Sequence, residues 1–234
     1  MESLKGKSAL ITGAGKGVGR EVALALAKEG VNLGLLATAF SQLEDIEAEL
    51  KSYGARVSIV TADVTDIHAV ILAVEKLEEE VGTIDILINS EDNTAFGPFL
   101  EFDPVTWENN VKTNLLGFYY LTQAVMPSML EKATGDIFSI SLKSERKNKG
   151  IEGAASYQAK LPEALMEEVQ RNNIRFRSFT AEDMVKEFTL NITEGHVEKS
   201  QAHLADFAGY IISQLKKFGG INLNDPMMVS SNPS

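Results

Sequence analysis

Two short stretches of this 234-residue chain carry residue types that can do chemistry. The first is "SYQAKLP", residues 156–162, in which Tyr157 precedes Lys160 by three positions. A phenol beside an ammonium group can serve as a proton donor with an electrostatic helper that favours its ionised form. The second is "ITGAGKGVGR", residues 11–20, with glycines at 13, 15, 17 and 19. It follows a short apolar run and opens an amphipathic pattern, the strand–turn–helix setting in which a helix N-terminus receives a pyrophosphate. Small residues there let phosphate oxygens reach backbone N–H groups, and the helix dipole favours their charge. Gly13, Gly15, Lys16, Gly17, Val18 and Gly19 are therefore candidate cofactor contacts.

These residues need a scaffold, and the spacing of apolar residues predicts one. Strand-like runs fall at 8–12, 31–37, 55–63, 84–90, 135–141 and 174–180. Helix-like segments fall at 18–29, 66–80, 104–112, 114–132, 162–172 and 202–217. Another helix runs to about residue 52, with Ser41 and Glu44 forming a capping-box pattern at its start. Pro162 suits the first position of the 162–172 helix, where a missing N–H costs nothing. Residues 181–200 are polar and irregular, and the C-terminal "GGINLNDPMMVSSNPS" predicts one last strand. Strands apolar on both faces, alternating with helices, imply a parallel sheet covered on both sides. With no linker, repeat or low-complexity tract, residues 1–234 read as a single doubly wound α/β domain.

Composition narrows the partners. The net charge of −11 argues against nucleic acid, and the basic stretch Lys143 to Lys149 reads as a solvated loop. The absence of cysteine excludes disulfides, thiolate metal sites and a cysteine nucleophile. His68, His196 and His203 are too scattered to pair as metal ligands, so no metal is expected. The N-terminus has no signal-peptide core and no apolar run reaches membrane-spanning length. The expectation is a soluble, cytoplasmic protein.

The second strand bears on which dinucleotide fits. An NAD site usually places a carboxylate at its end, on the ribose 2′-hydroxyl. Here that place reads Ala37-Thr38-Ala39, and Lys16 in the turn could instead meet a 2′-phosphate. This favours NADP(H) over NAD(H), with a solvated Lys16 as the plain alternative.

The order of "TGAGKGVG" (12–19), "ADV" (62–64), Asn89, "VKTNLLG" (111–117) and "SYQAK" (156–160) resembles the short-chain dehydrogenase/reductases over nearly the whole chain. It is most similar to bacterial members resembling 3-oxoacyl-(acyl carrier protein) reductase. The resemblance implies a Rossmann-type fold and NAD(P)(H)-dependent interconversion of a carbonyl and an alcohol. It also implies a small-molecule or acyl-carrier-linked substrate and a homodimer or homotetramer paired through helices 114–132 and 162–172. By the same resemblance Thr38, Asp63, Val64 and Asn89 join the cofactor site. Tyr157 would be the general acid, Lys160 its helper and Asn114 the relay residue, with Ser141 or Ser144 as the hydroxyl on the substrate carbonyl.

The chain departs from the family pattern at several of these places. Leu142 stands at the strand-aligned place of the family serine, while counting back from Tyr157 reaches Ser144. The family lysine lies four residues after its tyrosine, on one helix face, whereas here Leu161 holds that place and Pro162 follows. Asn89-Ser90-Glu91-Asp92 replaces an Asn-Asn-Ala-Gly run, and two carboxylates there would repel cofactor phosphates. Ala181-Glu182 replaces the Pro-Gly after the sixth strand. The alternative expectation is thus a catalytically impaired protein that keeps the fold as a binding or regulatory subunit.

Overall fold

A computed structural model of the chain describes residues 2–90, 103–141, 172–180, 192–193, 196–197 and 201–217. Its elements alternate as β1 (Ser8–Thr12), α1 (Gly17–Lys28), β2 (Asn32–Ala37), α2 (Glu44–Ser52), β3 (Val57–Thr61), α3 (Ile67–Val81) and β4 (Ile86–Asn89). They continue with α4 (Pro104–Val111), α5 (Gly117–Lys132), β5 (Gly135–Ser141), β6 (Ile174–Thr180) and α6 (Gln201–Lys216). A short antiparallel pair, β7 (Ile192–Thr193) with β8 (His196–Val197), stands apart from the main sheet.

The main sheet runs β3-β2-β1-β4-β5-β6, and every neighbouring pair is parallel. This is the doubly wound arrangement that the apolar pattern predicts, of the Rossmann type that the resemblance implies. All residues of β1, β2 and β4 are buried, which is why they read as unbroken apolar runs. From β1 the chain builds outward to β3 on one side and, returning through β4, to β6 on the other. Such a reversal leaves a crevice at the C-terminal strand ends, where ligands of open α/β sheets bind.

The two faces are covered separately. Ile11, Leu35, Ile88, Phe138 and Ile140 pack beneath α1 and α6, while Leu10, Leu36, Leu87, Ile137 and Phe176 pack beneath α3 and α5. An aromatic group anchors α6. The Phe138 and Phe179 rings stack at 5.7 Å, and Phe207 meets Phe179 edge-on at 5.8 Å.

The strand at 174–180 falls where its pattern predicts, and most helix ends lie within a residue or two of expectation. Two local readings differ. Ser41 does not cap a helix: Phe40–Gln42 form a 3-10 turn, and α2 starts at Glu44 behind Leu43 without a side-chain cap. The turn is held by tertiary contact, because the Gln42 carbonyl sits against Gly15. The helices expected at 104–112 and 114–132 are joined through a π-helical turn, Lys112–Leu116, without a break. The helix expected at 162–172 and the C-terminal strand lie outside the described residues.

The strand ends opposite the crevice are tied by charge. Arg175 on β6 donates from Nη2 to Asp136 Oδ2 at 2.8 Å. Its Nε stands 2.6 Å from Oδ1, close as an ion pair but off the angle of a hydrogen bond. The same guanidinium donates to the carbonyls of Leu215 and Lys217 at the end of α6, where the helix dipole favours a cation. Burial pushes the Asp136 carboxyl above its ordinary range, and the Arg175 hydrogen bond and charge oppose that rise. The pair should therefore be costly to break and cheap to neutralise. Arg175→Ala, which leaves a buried charge unpaired, is expected to lower unfolding free energy by about 3–5 kcal/mol at neutral pH. A carboxyl raised on folding supports the native state most below its unfolded value and loses that support as pH climbs through its folded value. Denaturant unfolding of variant and wild type at matched pH should thus show the deficit shrinking as pH falls towards ~4.

Candidate functional site

β1 ends at Thr12 and the chain turns through Gly13–Lys16 into α1 directly at the crevice. Lys16 takes the N-cap position in extended geometry, makes no side-chain cap, and no acidic residue occupies the first turn. Lys16 thus leaves the leading N–H groups of α1 uncapped, and the dipole favours an anion there. Gly13 adopts φ +66, a conformation costly for a residue with a Cβ.

Two walls press on this turn. On one side, a Cβ at Gly15 would run into the backbone carbonyl of Gln42. On the other, a Cβ at Gly13 would come within 2.7 Å of the Ser90 carbonyl oxygen, and one at Gly19 would meet the Ser90 hydroxyl. These glycines are needed because neighbouring backbone and a short side chain fill the space.

A cavity of about 670 Å³ opens over the turn. Its floor is the turn itself, Gly13 to Gly19, with Val18 buried beneath. Leu36, Ala37, Thr38, Gln42 and Leu43 form one side, and Ala62, Asp63 and Val64 after β3 form the next. Ser90, Thr113, Ile140 and Leu204 close the remainder. The volume lies within the range of small-molecule and cofactor pockets.

The polar groups on its rim are partly committed. Asp63 accepts from Thr65 N at 2.9 Å and Thr65 Oγ1 at 2.8 Å, which fixes its carboxylate in a local turn. Thr38 Oγ1 lies 3.3 Å from Gln42 Oε1. Arg20 is drawn to Glu49 of α2 and lies 3.7 Å from Glu21, so it braces helix to helix. Lys16 is exposed at the edge of the cavity.

Of the residues expected at a cofactor site, the structure brings Gly13, Gly15, Lys16, Gly17, Val18, Gly19, Thr38, Asp63 and Val64 around this one cavity. Asn89 is placed elsewhere. It is 2% exposed, its Oδ1 accepts from Thr12 Oγ1 at 2.9 Å, and it ties β4 to β1 beneath the turn. Asn114 is buried on the π-helical turn, next to the cavity-lining Thr113. Such one-turn widenings recur at functional sites. Ser141 is the last residue of β5, in register with Thr180 at the C-terminal edge of the sheet. Ser144, Tyr157, Lys160, Glu91 and Asp92 lie outside the described residues. Sequence reasoning missed Gln42, Ser90, Thr113 and Leu204 as cavity residues. Ser90 carried the one available signal, since it follows the last residue of a strand paired with β1.

A further polar contact positions the helix that precedes the π turn. Asp103 accepts from Thr106 Oγ1 and Thr106 N, both at 2.8 Å, capping α4. The Thr106 hydroxyl, and then its backbone N–H, hold the Asp103 carboxyl below its usual range.

A family model described as short chain dehydrogenase matches residues 7–196. Oxidoreductase UcpA of Salmonella typhimurium is 37% identical over 141 residues, covering 60% of this chain and 53% of that protein. The 3-oxoacyl-[acyl-carrier-protein] reductase FabG of Staphylococcus aureus is 32% identical over 136 residues, covering 58% and 55%. The chain thus spans a little over half the length of these curated relatives. A metagenomic short-chain oxidoreductase solved in complex with NADP shares the fold, with TM-score 0.73 and 22% identity over 93% of this chain and 94% of that one. An NAD+-bound xylitol dehydrogenase matches with TM-score 0.68 and 28% identity over 76% and 71%.

The crowding at Gly15 gives a direct check on the turn. Gly15→Ala drives a methyl group into the Gln42 carbonyl, a backbone atom that cannot swing aside. It should cost about 1–3 kcal/mol in denaturant unfolding, as overpacking does. Gly209→Ala, in α6 with open space around it, should instead be neutral or stabilising by up to about 1 kcal/mol.

Proposed function

Because the chain belongs to the short chain dehydrogenase family, we propose that it is an NADP(H)-dependent oxidoreductase that reduces a carbonyl to an alcohol. The substrate class is a 3-oxoacyl-like compound or a small ketone. The observation that carries the reading is the cavity built on the uncapped N-terminus of α1, floored by glycines. The residues present fit a dinucleotide: backbone N–H groups and a helix dipole for the pyrophosphate, and apolar Val64 and Ala62 for the adenine. No carboxylate stands at the end of β2, and Lys16 borders the same cavity, which supports a 2′-phosphate over a bare 2′-hydroxyl.

When bound, the cofactor supplies the hydride. The work of the chain is to bind, orient and manage the proton. Gly13 to Gly19 would hold the pyrophosphate, and Thr38 and Lys16 the ribose end. Tyr157 would deliver the proton to the carbonyl oxygen, with Lys160 favouring the phenolate that results. Ser141 or Ser144 would hydrogen-bond the same oxygen, and Asn114 would pass the proton inward from solvent. Family likeness further supports one domain over residues 1–234 acting in a homodimer or homotetramer.

Cofactor titration tests this reading. NADPH at 100 times its dissociation constant should raise the unfolding free energy by about 2.7 kcal/mol, seen as a rise in melting temperature. Lys16→Glu should weaken NADPH by about three- to tenfold more than NADH, as loss of a partly exposed charge contact predicts. Consumption of NADPH with a β-keto ester should disappear in Tyr157→Phe. No melting shift at millimolar NADPH or NADH would contradict the proposal.

A further inference from the structure

The residue after β4 performs a task of its own. Ser90 lies beside Gly13 because β1 and β4 run parallel with Thr12 opposite Asn89. Its hydroxyl donates to the Thr12 carbonyl oxygen at 2.5 Å. That same oxygen atom, Ser90 Oγ, fills the space where a Cβ at Gly19 would stand, and lies 3.0 Å from where one at Gly13 would stand. One small side chain thus touches the start of the turn and the first turn of α1, and it is held by a hydrogen bond to the residue before the turn. Its neighbour Asn89 makes the lower tie, from Oδ1 to Thr12 Oγ1. The end of β4 therefore grips Thr12 at both its side chain and its carbonyl.

We propose that Ser90 is a positioning residue for the anion-binding turn, setting how closely the N–H groups of Gly17, Val18 and Gly19 approach a bound pyrophosphate. The inference rests on the dinucleotide reading of the cavity. Its chemistry follows from size and donor character together. A larger side chain would collide with Gly19, where a Cβ is already excluded. An alanine would leave the Thr12 carbonyl without this donor and open a gap between β4 and α1. A hydrogen bond of this kind contributes on the order of 1 kcal/mol net, which corresponds to about a fivefold change in an equilibrium constant. The effect should fall on ligands with phosphates, since Ser90 braces the turn, whereas adenine and ribose are held by the ends of β2 and β3.

The test compares ADP with adenosine on wild type, Ser90→Ala and Ser90→Cys, by calorimetric titration, with ligand-free melting temperature and circular dichroism recorded for each. Ser90→Ala should bind ADP about fivefold more weakly than wild type while adenosine affinity stays within about twofold. Ser90→Cys, which sets a larger and more weakly donating sulfur against Gly19, should bind ADP at least as weakly as Ser90→Ala. Equal losses for ADP and adenosine would assign Ser90 a general packing role and overturn the inference, as would an unchanged ADP affinity in a folded Ser90→Ala. If wild type binds neither ADP nor a dinucleotide, the dinucleotide reading fails first and the inference falls with it. If wild type binds ADP and the variants bind it equally, the inference alone fails.

Discussion

The first turn of α1 presents backbone N–H groups that its N-cap residue, Lys16, does not cap, and that turn must still pack closely against Gln42 and Ser90. A helix end left open in a packed crevice is stable only if a ligand or water meets it and if its neighbours can come close. Both demands select small residues. Gly15 admits the Gln42 carbonyl, and Gly13 and Gly19 admit Ser90. Around that constraint the rest of the cavity is arranged: the end of β2 on one side, the end of β3 beyond it, and Thr113 of the π-helical turn in the remaining wall.

The two ends of the sheet have different chemistry. At the C-terminal ends the polar groups are divided: Asn89 and Ser90 tie β4 to Thr12, while Asp63 borders the cavity and accepts from Thr65. At the N-terminal ends they are spent on ties within the fold. Asp85 accepts from the Ser8 backbone N–H at 2.9 Å and pairs with Lys132 at 2.7 Å, while Arg175 clamps Asp136 and the end of α6. The region matched by the family model, residues 7–196, includes the glycine turn that forms the floor of the cavity.

Much of this was legible in the sequence, for identifiable reasons. Strands buried on both faces leave unbroken apolar runs, so β1, β2 and β4 fall near their expected bounds. The glycine turn was legible because a helix start after a buried strand has few other uses for four closely spaced glycines. What was not legible depends on contacts distant in sequence. The Ser41–Glu44 pattern satisfies a capping rule locally, yet the chain there is shaped by Gln42 meeting Gly15, 27 positions earlier. The family resemblance makes Asn89 a cofactor contact, and the parallel register sets it opposite Thr12, whose hydroxyl donates to its Oδ1. Ser90 reads as a departure from the family pattern, and in the fold it fills the space that two glycines leave. The π-helical turn has no distinctive local signature, since Lys112, Leu115 and Leu116 are ordinary helix formers and the weaker formers Thr113 and Asn114 do not specify a widened turn.

The function of the crevice depends on whether the open end of α1 receives phosphate. The most direct measurement is the amide chemical-shift response of isotopically labelled protein to ADP. The largest shifts should fall on the N–H groups of Gly15, Gly17, Val18 and Gly19, with smaller ones at Thr38 and Val64. Saturating ADP that leaves those amides unmoved, or moves a different surface instead, would contradict it.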